Sequence, residues 1–312
     1  MRFILKRLTL MPLVMIVASL LSFLIINLAP GDPAEMILER QLQGEPTKEQ
    51  IEAFKKEHGL DKPLYIQYFI WLSKILYGDL GVSLRTGEPV IEEYLTRFPA
   101  SLLLIATSIL IAVAISIPLG ILSALKHNTA IDHICRILAL FGISMPNFWL
   151  GLLLILIFSV KLRIFPAFGY GAKNIVLPAL TLGLSFAGTL TRLMRVSLLE
   201  VLHQQYIIVA KAKGSPEKLI ITRHALKNAF IPVVTAIGIY SGHAATGAVI
   251  VETIFAWPGV GSYFVSSIYA RDYPVIQGFV LLVALFFVLT NLIVDVIYLF
   301  LDPRIRYETH EA

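Results

Sequence analysis

Apolar runs long enough to cross a membrane alternate along this chain with short polar segments. A bilayer core needs a helix of roughly 20 apolar residues, and six uncharged windows approach or exceed that length. Because a chain in lipid must satisfy its backbone hydrogen bonds internally, the pattern predicts an all-α integral membrane protein with six transmembrane helices. The windows are residues 8–31, 98–125, 137–160, 174–191, 228–251 and 273–294.

Composition agrees with a membrane protein. The 312 residues are 57% hydrophobic and 15% charged, with a mean hydropathy of +0.77, whereas soluble domains are about 45–50% apolar and about 25% charged. The pI of about 9.2 does not indicate a nucleic-acid partner, because the basic residues flank apolar runs, where membrane topology explains them. The single cysteine, Cys135, cannot form an internal disulfide and is expected to be a buried apolar residue.

The distribution of Lys and Arg sets the predicted orientation. Short loops on one side carry fourteen of these residues and those on the other side carry four, and the richer side is expected to face the cytoplasm. Both termini are therefore predicted to be cytoplasmic, in a multi-pass protein of the cell membrane. The apolar run after Arg7 is too long for a signal peptide and shows no cleavage site, so it is interpreted as a retained anchor.

The segment of residues 30–97 is predicted to lie outside, with structure of its own. A capping box begins at Thr47, and Gly59 would end the helix that it starts. The aromatic residues that follow favour the membrane–water boundary, so we expect a helix on the outer surface or a small cap packed over the spans. The chain thus divides into residues 1–97, the first transmembrane helix with this segment, and residues 98–312, a five-helix core. The aromatic residues are Tyr65, Tyr68, Phe69, Trp71 and Tyr77.

The loop of residues 196–228, between the fourth and fifth windows, is polar and basic and is predicted to be cytoplasmic. Residues 198–213 have a helix-like pattern, and Gly214 suits a left-handed helix end. Ser215 suits the N-cap of a second helix and Pro216 its first position. We expect two short helices joined by a rigid corner that presents its charge to a partner; the alternative is ordinary topogenic charge on a solvated loop. The charged residues are Lys211, Lys213, Glu217, Lys218, Arg223 and Lys227.

No sequence pattern for catalysis occurs. The chain has no Gly-x-x-x-x-Gly-Lys-Ser/Thr phosphate loop, no His-Glu-x-x-His and no Gly-x-Ser-x-Gly. We therefore predict no catalytic residue, no metal site and no cofactor in this chain.

Polar residues inside membrane windows carry functional hypotheses, because they are costly there. Asn291 and Asp295 lie one turn apart on the last helix. They would either form a polar patch that lines the pore or make a helix–helix contact. His243 would either touch a metal substrate or pack as a hydrogen-bonded residue. Glu252, with residues 257–259, is expected to form an outer re-entrant turn or the rim of a gate. Small residues at a spacing of four predict close helix packing; these are Gly238, Gly242 and Thr246, and Gly183 with Ala187.

Motifs along nearly the whole chain resemble the permease subunits of ABC importers for dipeptides, oligopeptides and nickel. Each motif alone is weakly specific, whereas all of them in order are highly specific. They are Ala210-Lys211-Ala212-Lys213-Gly214 within residues 206–233, Glu252-Thr253-Ile254-Phe255-Ala256-Trp257-Pro258-Gly259-Val260-Gly261, and residues 30–34, 58–64, 67–68, 78–81, 86–87, 97–101, 146–151, 223–229, 271–274 and 301–306.

One signature of ABC-importer permeases is only partly present. The general pattern is Glu-Ala-Ala, three residues, then Gly; Ala210 and Gly214 match it, whereas Ile208 and Val209 replace the Glu and the first Ala. The peptide and nickel subgroup resembles this variant, so the resemblance still implies a loop that couples the permease to an ATPase. That coupling loop would comprise Tyr206, Ala210, Lys211, Ala212, Lys213, Gly214, Ser215, Pro216 and Glu217.

The resemblance implies an importer made of two permeases, two cytoplasmic ATPases that bind ATP and Mg, and an extracytoplasmic binding protein. This chain would form half of the pathway for a small solute, a di- or oligopeptide or alternatively nickel, within membrane lipid. A different class, a self-contained secondary transporter or channel, would predict intramembrane acidic residues and often a repeat between halves. The sequence shows few such acids and no clear repeat.

Overall fold

Helices dominate the computed structural model, which describes residues 2–28, 32–42 and 44–301. In these ranges the only extended pairing is an isolated bridge between Val82 and Pro89. The helices are α1 (Arg2–Leu28), α2 (Pro33–Leu42), α3 (Lys48–His58), α4 (Leu64–Leu76), α5 (Val90–Leu125), α6 (Ala130–Ser144), α7 (Asn147–Leu154, continued by the π-helical Ile155–Lys161), α8 (Val176–Leu202), α9 (Gln205–Ala212), α10 (Glu217–Leu219, continued by the π-helical Ile220–Ala225), α11 (Leu226–Ile254), α12 (Val260–Tyr269) and α13 (Tyr273–Leu301).

Several of these helices are long and apolar enough to span a membrane. Four described helical stretches pass that test, and the pair α6 and α7 would add a fifth crossing if both halves belong to one span. The apolar part of α1, Met11–Leu24, is shorter. An all-α integral membrane fold is thus confirmed, while the number of six spans stays a prediction. The four stretches are Val90–Leu125, Val176–Leu202, Glu217–Ile254 and Tyr273–Val294.

The third apolar window, residues 137–160, is not one continuous helix. The axes of α6 and α7 differ by 106° across a short break. Met145 at the break is extended, with ψ 125°, because the ring of the following Pro146 disfavours the helical conformation in the residue before it. The apolar run therefore predicted correctly that this segment is helical, but it did not predict the bend.

The described residues fall into two compact units. The first contains Pro99–Ser262 with the described residues before Leu8 and after Leu285, and the second contains Leu8–Phe98 with Tyr263–Leu285. The division expected from the sequence, into residues 1–97 and 98–312, stays a prediction.

The first unit has two buried apolar clusters. One joins α5, α7, α8 and the end of α11, and includes Leu104, Leu182 and Phe255. The other joins α8, α9 and the start of α11, and includes Met194 and Ile207. Close packing of such buried side chains fixes the relative positions of the helices that carry them.

Glycines allow close approaches between these helices, as the small-residue spacing predicted. A Cβ on Gly183 would lie 2.7 Å from the backbone oxygen of Ser108 on α5. Gly238 and Gly242 lie against Val294 and Phe287 of α13. A larger side chain at Gly183 would have to displace the backbone of the neighbouring helix, because the clash is with a main-chain atom rather than a flexible side chain.

The second unit contains the predicted extracytoplasmic helix. Thr47 and Gln50 exchange the two hydrogen bonds of a capping box, and Gly59 ends α3 with φ +69°, which confirms both sequence predictions. On α4, the rings of Tyr68 and Trp71 contact Phe23 at centroid distances of 5.5 and 5.7 Å. Other aromatic side chains of this segment are exposed; these are Tyr65, Phe69 and Tyr77.

Candidate functional site

A tight corner between α9 and α10 holds the residues that the sequence analysis selected. The N–H of Gly214 donates to the carbonyl of Lys211 at 2.9 Å, and the N–H of Ser215 donates to the carbonyl of Ala210 at 3.2 Å. Gly214 has φ +75°. Together these features form a Schellman helix end, in which a left-handed glycine satisfies carbonyls that the helix leaves unpaired. The left-handed conformation predicted for Gly214 is confirmed.

The corner is anchored at its base and open at its tip. Ile207 on α9 and Ile220 after α10 are almost fully buried in the second apolar cluster. The amide of Asn228 donates to the Tyr206 hydroxyl at 2.7 Å, which ties α9 to α11. A Cβ built on Gly214 would meet no atom within 4 Å. The base of the corner is therefore fixed by packing, while none of the residues that the structure describes fills the space beside Gly214 at the tip.

The exposed face of the corner is both basic and apolar. Ala212, Pro216 and Glu217 are exposed, whereas Ala210 and Ser215 are half-buried. An apolar patch that a chain leaves uncovered beside charges is typical of a protein–protein contact surface. The exposed large apolar side chains are Tyr206, Ile208, Val209 and Leu219, and the exposed basic ones are Lys211, Lys213, Lys218, Arg223 and Lys227.

Two details of the corner differ from the sequence prediction. Pro216, not Ser215, is the N-cap residue of α10, with ψ 140° and no side-chain cap. Proline can occupy this position because its fixed φ is compatible with an extended N-cap residue as well as with the first turn of a helix. The second helix is not short, because α10 continues through the π-helical segment into α11 as one stretch, Glu217–Ile254.

Glu252 lies at the opposite end of that stretch and is fully buried. Its carboxylate accepts hydrogen bonds from the Ser101 hydroxyl at 2.6 Å and from the backbone N–H groups of Gly261 at 2.8 Å and Ser262 at 3.1 Å. These two amides belong to the first turn of α12, so Glu252 satisfies donors that the helix itself leaves unpaired. All three donors are neutral groups.

The turn between α11 and α12 is locked around this carboxylate. Ala256 has φ +48°, a left-handed conformation that is costly for a residue with a Cβ. The N–H of Trp257 donates to the Glu252 carbonyl at 2.9 Å, and its indole N–H donates to the Ala100 carbonyl at 2.9 Å. Glu252 thus holds the predicted outer turn together, and a role in gating stays a prediction.

The other predicted pathway residues lie on α11 and α13. His243 is exposed, and its ring contacts the ring of Phe287 at a centroid distance of 5.7 Å. Asn291 is half-buried, one turn after Phe287. The side chain of Asp295 lies outside the described residues. Among the described residues no three His, Cys, Asp or Glu side chains form a group that could hold a metal ion.

A second buried carboxylate, Asp132, was missed by the sequence analysis. It makes a two-bond ion pair with Arg195 on α8, with both N–O distances at 2.7 Å. It also accepts hydrogen bonds from the Ser123 hydroxyl and the backbone N–H of Asn128. The pair joins α5, α6 and α8. The local signal in the sequence was Arg195, a basic residue between the buried Met194 and Leu198. That signal does not indicate which acidic residue pairs with it, because Asp132 lies 63 positions away.

Comparison with known proteins decides the family. A model of the "Binding-protein-dependent transport system inner membrane component" family matches residues 116–307, and a model of the N-terminal region of such membrane components matches residues 1–105. The chain is a permease subunit of a binding-protein-dependent ABC importer. The same conclusion covers both the α1–α4 region and the helices that carry the corner.

Individual relatives of this permease cover nearly its full length. It is 41% identical to the probable D,D-dipeptide transport system permease protein of Escherichia coli (strain K12), over 94% of both chains. It is 40% identical to the oligopeptide transport system permease protein of Bacillus subtilis (strain 168), over 93% of this chain and 94% of the relative.

A solved structure supports the fold of the permease. An inward-facing structure of the MetNI methionine ABC transporter matches with a TM-score of 0.58 at 18% sequence identity, over 67% of this chain and 96% of that one. At that identity the match concerns the fold alone.

Proposed function

We propose that this permease forms half of a translocation pathway for short peptides. The relatives named above are permeases for a D,D-dipeptide and for oligopeptides, and the substances in both names share a peptide backbone. Nickel, the alternative from the sequence, appears in neither of these two names. A second permease subunit completes the pathway in this proposal.

The observation that carries the proposal is the open corner at Gly214. Its base is buried in the apolar cluster, a Cβ on Gly214 at its tip would meet no atom of the described residues within 4 Å, and its exposed face presents apolar and basic side chains together. A rigid, uncovered surface suits a partner that must push on the helices behind it. In the proposed assembly, one of two cytoplasmic ATPases binds this corner.

The energy source lies outside this chain in the proposal. The sequence has no phosphate-binding loop of the Walker type, so ATP and Mg are bound by the two ATPase subunits. Closure of these subunits pushes the corner and changes the permease from inward-facing to outward-facing. An extracytoplasmic binding protein delivers the peptide to the outward-facing state, and both termini of the permease lie in the cytoplasm.

His243, Glu252, Asn291 and Asp295 retain a proposed role along the pathway or its gate. His243 and Asn291 lie on neighbouring helices, since Gly242 beside His243 packs against Phe287. The sealed turn around Glu252 would act as a gate only by opening as a unit, because its carboxylate already has three donors.

The experiment that tests the coupling surface replaces Gly214 by valine in the reconstituted importer. A β-branched residue is strongly disfavoured at φ +75°, so the corner should deform. We expect ATP hydrolysis to persist while peptide uptake falls at least about tenfold, which corresponds to about 1.4 kcal/mol of coupling. Uptake and ATP hydrolysis are measured on the same vesicles.

The matched control is Gly87→Val. Gly87 has φ +77° and, like Gly214, no atom within 4 Å of a built Cβ, but it lies in the second unit. Its substitution imposes a similar backbone strain and should leave the ratio of uptake to ATP hydrolysis unchanged. Normal uptake in G214V, or an equal loss in G87V, would contradict the proposal.

A further inference from the structure

A cavity in the second unit has no role in the function proposed above. Its volume is about 610 Å³, within the range of roughly 300–1,000 Å³ typical of sites for small ligands. Residues of α1, α3, α4 and the start of α13 line it. It is therefore large enough for a head group and part of an acyl chain, and too large for a bare ion alone.

The cavity has an apolar wall and a polar rim. The rings of Phe23 and Trp71 contact each other in the wall, at a centroid distance of 5.7 Å. Asn27, Gln67 and Gln277 contribute amide groups to the same lining. A lining of this kind suits an amphiphile, because each half of such a ligand finds a matching surface.

The charged residues of the lining leave one positive charge in excess. Lys55 forms an ion pair with Asp32, which balances both. Lys74, in the last turn of α4, also lines the cavity and is exposed. Within the part of the chain that the structure describes, no carboxylate forms an ion pair with Lys74. The cavity therefore favours a ligand with one negative charge.

The position of the cavity along the helices points to the membrane boundary. It lies beside the last turns of α1 and the first turn of α13, where the apolar windows end. On the neighbouring α4, Tyr65 and Phe69 have 66% and 64% of their surface exposed. Exposed aromatic side chains of this kind are typical of the level of lipid head groups.

We propose that this cavity binds the phosphate group of a phospholipid, with the phosphate near Lys74 and the upper part of an acyl chain against Phe23 and Trp71. The phospholipid comes from the outer leaflet. This assignment rests on the orientation proposed above, whereas the chemistry of binding does not depend on it. A free phosphate ion or the carboxylate of a peptide shares the negative charge but lacks the apolar half.

Native mass spectrometry of the purified full-length permease tests the site, with dioleoylphosphatidylglycerol as the probe. Dioleoylglycerol, which has the same chains without the phosphate, is the matched ligand. We expect phosphatidylglycerol to bind as one tight adduct and dioleoylglycerol to bind at least about tenfold more weakly. Lys74→Gln should weaken phosphatidylglycerol binding about fivefold, the effect of about one basic residue near anionic lipid.

Matched variants separate the site from general charge and folding effects. Lys56→Gln removes an exposed lysine next to Lys55 that does not line the cavity, and should bind within about twofold of the wild type. Lys74→Arg keeps the charge and should bind like the wild type. Since Lys74 is exposed, its substitution is not expected to disturb folding, which circular dichroism checks.

Three results would overturn the proposal. One is equal phosphatidylglycerol binding by the wild type and K74Q, and another is equal binding of dioleoylglycerol and phosphatidylglycerol. The third is displacement of the bound lipid by 10-fold excess inorganic phosphate or trialanine, which would assign the cavity to a water-soluble anion instead (about tenfold being the excess needed to detect similar affinities).

Discussion

The two ends of the helical stretch Glu217–Ile254 adjoin the same type of turn but differ in how much of the chain packs around it. Each adjoins a Schellman turn with a left-handed residue, Gly214 before the stretch and Ala256 after it. The turn at Gly214 is open, because a Cβ built there would meet no described atom within 4 Å. The turn at Ala256 is sealed by the buried carboxylate of Glu252 and by Trp257. One turn is complete within the chain, and the other leaves a surface for a partner.

The choice of residue at each left-handed position follows from this difference. Glycine adopts positive φ without steric cost, so an open corner can be rigid without neighbours. Alanine at φ +48° costs of order 1–3 kcal/mol and persists only where the surroundings hold it. The sealed turn provides such surroundings, because Glu252, Ser101 and Ser262 connect three chain segments.

The largest expected effect on stability concerns Asp132, whose partner Arg195 follows Met194 of the second apolar cluster. Removing one partner of a buried ion pair leaves an uncompensated charge and costs about 3–5 kcal/mol. Asp132→Ala should lower the free energy of unfolding by that amount, measured by titrating SDS into mixed micelles. The double variant Asp132→Leu/Arg195→Leu removes both charges and should recover most of the loss. If D132A unfolds like the wild type, the pair does not hold α5, α6 and α8 together.

The sealed turn should break next. Glu252→Ala leaves the Ser101 hydroxyl and two backbone N–H groups without their acceptor, and each such group costs about 1–3 kcal/mol when buried. We expect a net loss of about 2–4 kcal/mol in the same unfolding assay, less than the sum over the three donors, because the substitution also removes the desolvation cost of the buried carboxylate. Glu217→Ala, at an exposed glutamate on the open corner, should change stability by less than about 0.5 kcal/mol. An equal loss of stability in E252A and E217A would contradict the difference in packing between the two turns.

The smallest effect is expected at Ala256. Ala256→Gly removes the clash at φ +48° but gives the unfolded chain more freedom, so the two terms partly cancel. We expect the variant to be more stable by up to about 1 kcal/mol, as seen in the unfolding midpoint. The reverse exchange, Gly214→Ala, should lower stability by about 1 kcal/mol. A destabilised A256G would mean that the alanine methyl packs favourably enough to outweigh its backbone strain.

Local features of this fold were predictable, and long-range contacts were not. Gly214 and the capping box at Thr47 follow from the chemistry of a few adjacent residues, and the structure confirms both. The bend at Met145 was also local, since Pro146 stands in the apolar run, but the length of that run favoured a continuous helix. The N-cap differs by one position because both Ser215 and Pro216 suit a helix start.

The partners of the buried carboxylates had no signal in a single sequence. Glu252 accepts a hydrogen bond from Ser101, 151 positions earlier, and Asp132 pairs with Arg195, 63 positions later. Helix periodicity fixes which residues share a face but not which face of another helix they meet. The candidate corner was therefore accessible to sequence reasoning, whereas the network that seals the opposite turn required the structure.

The central claim, that an ATPase subunit binds the open corner, is tested most directly by cross-linking. The only cysteine, Cys135, is buried and is first replaced by alanine. A cysteine is then placed at the exposed Lys213 and, as a control, at the exposed Lys173 of the predicted outer loop, and each is labelled with a photoactivatable cross-linker in the assembled importer. The account predicts an adduct with the ATPase from position 213 and none from position 173. Absence of the ATPase adduct at position 213, or equal adducts at both positions, would contradict it.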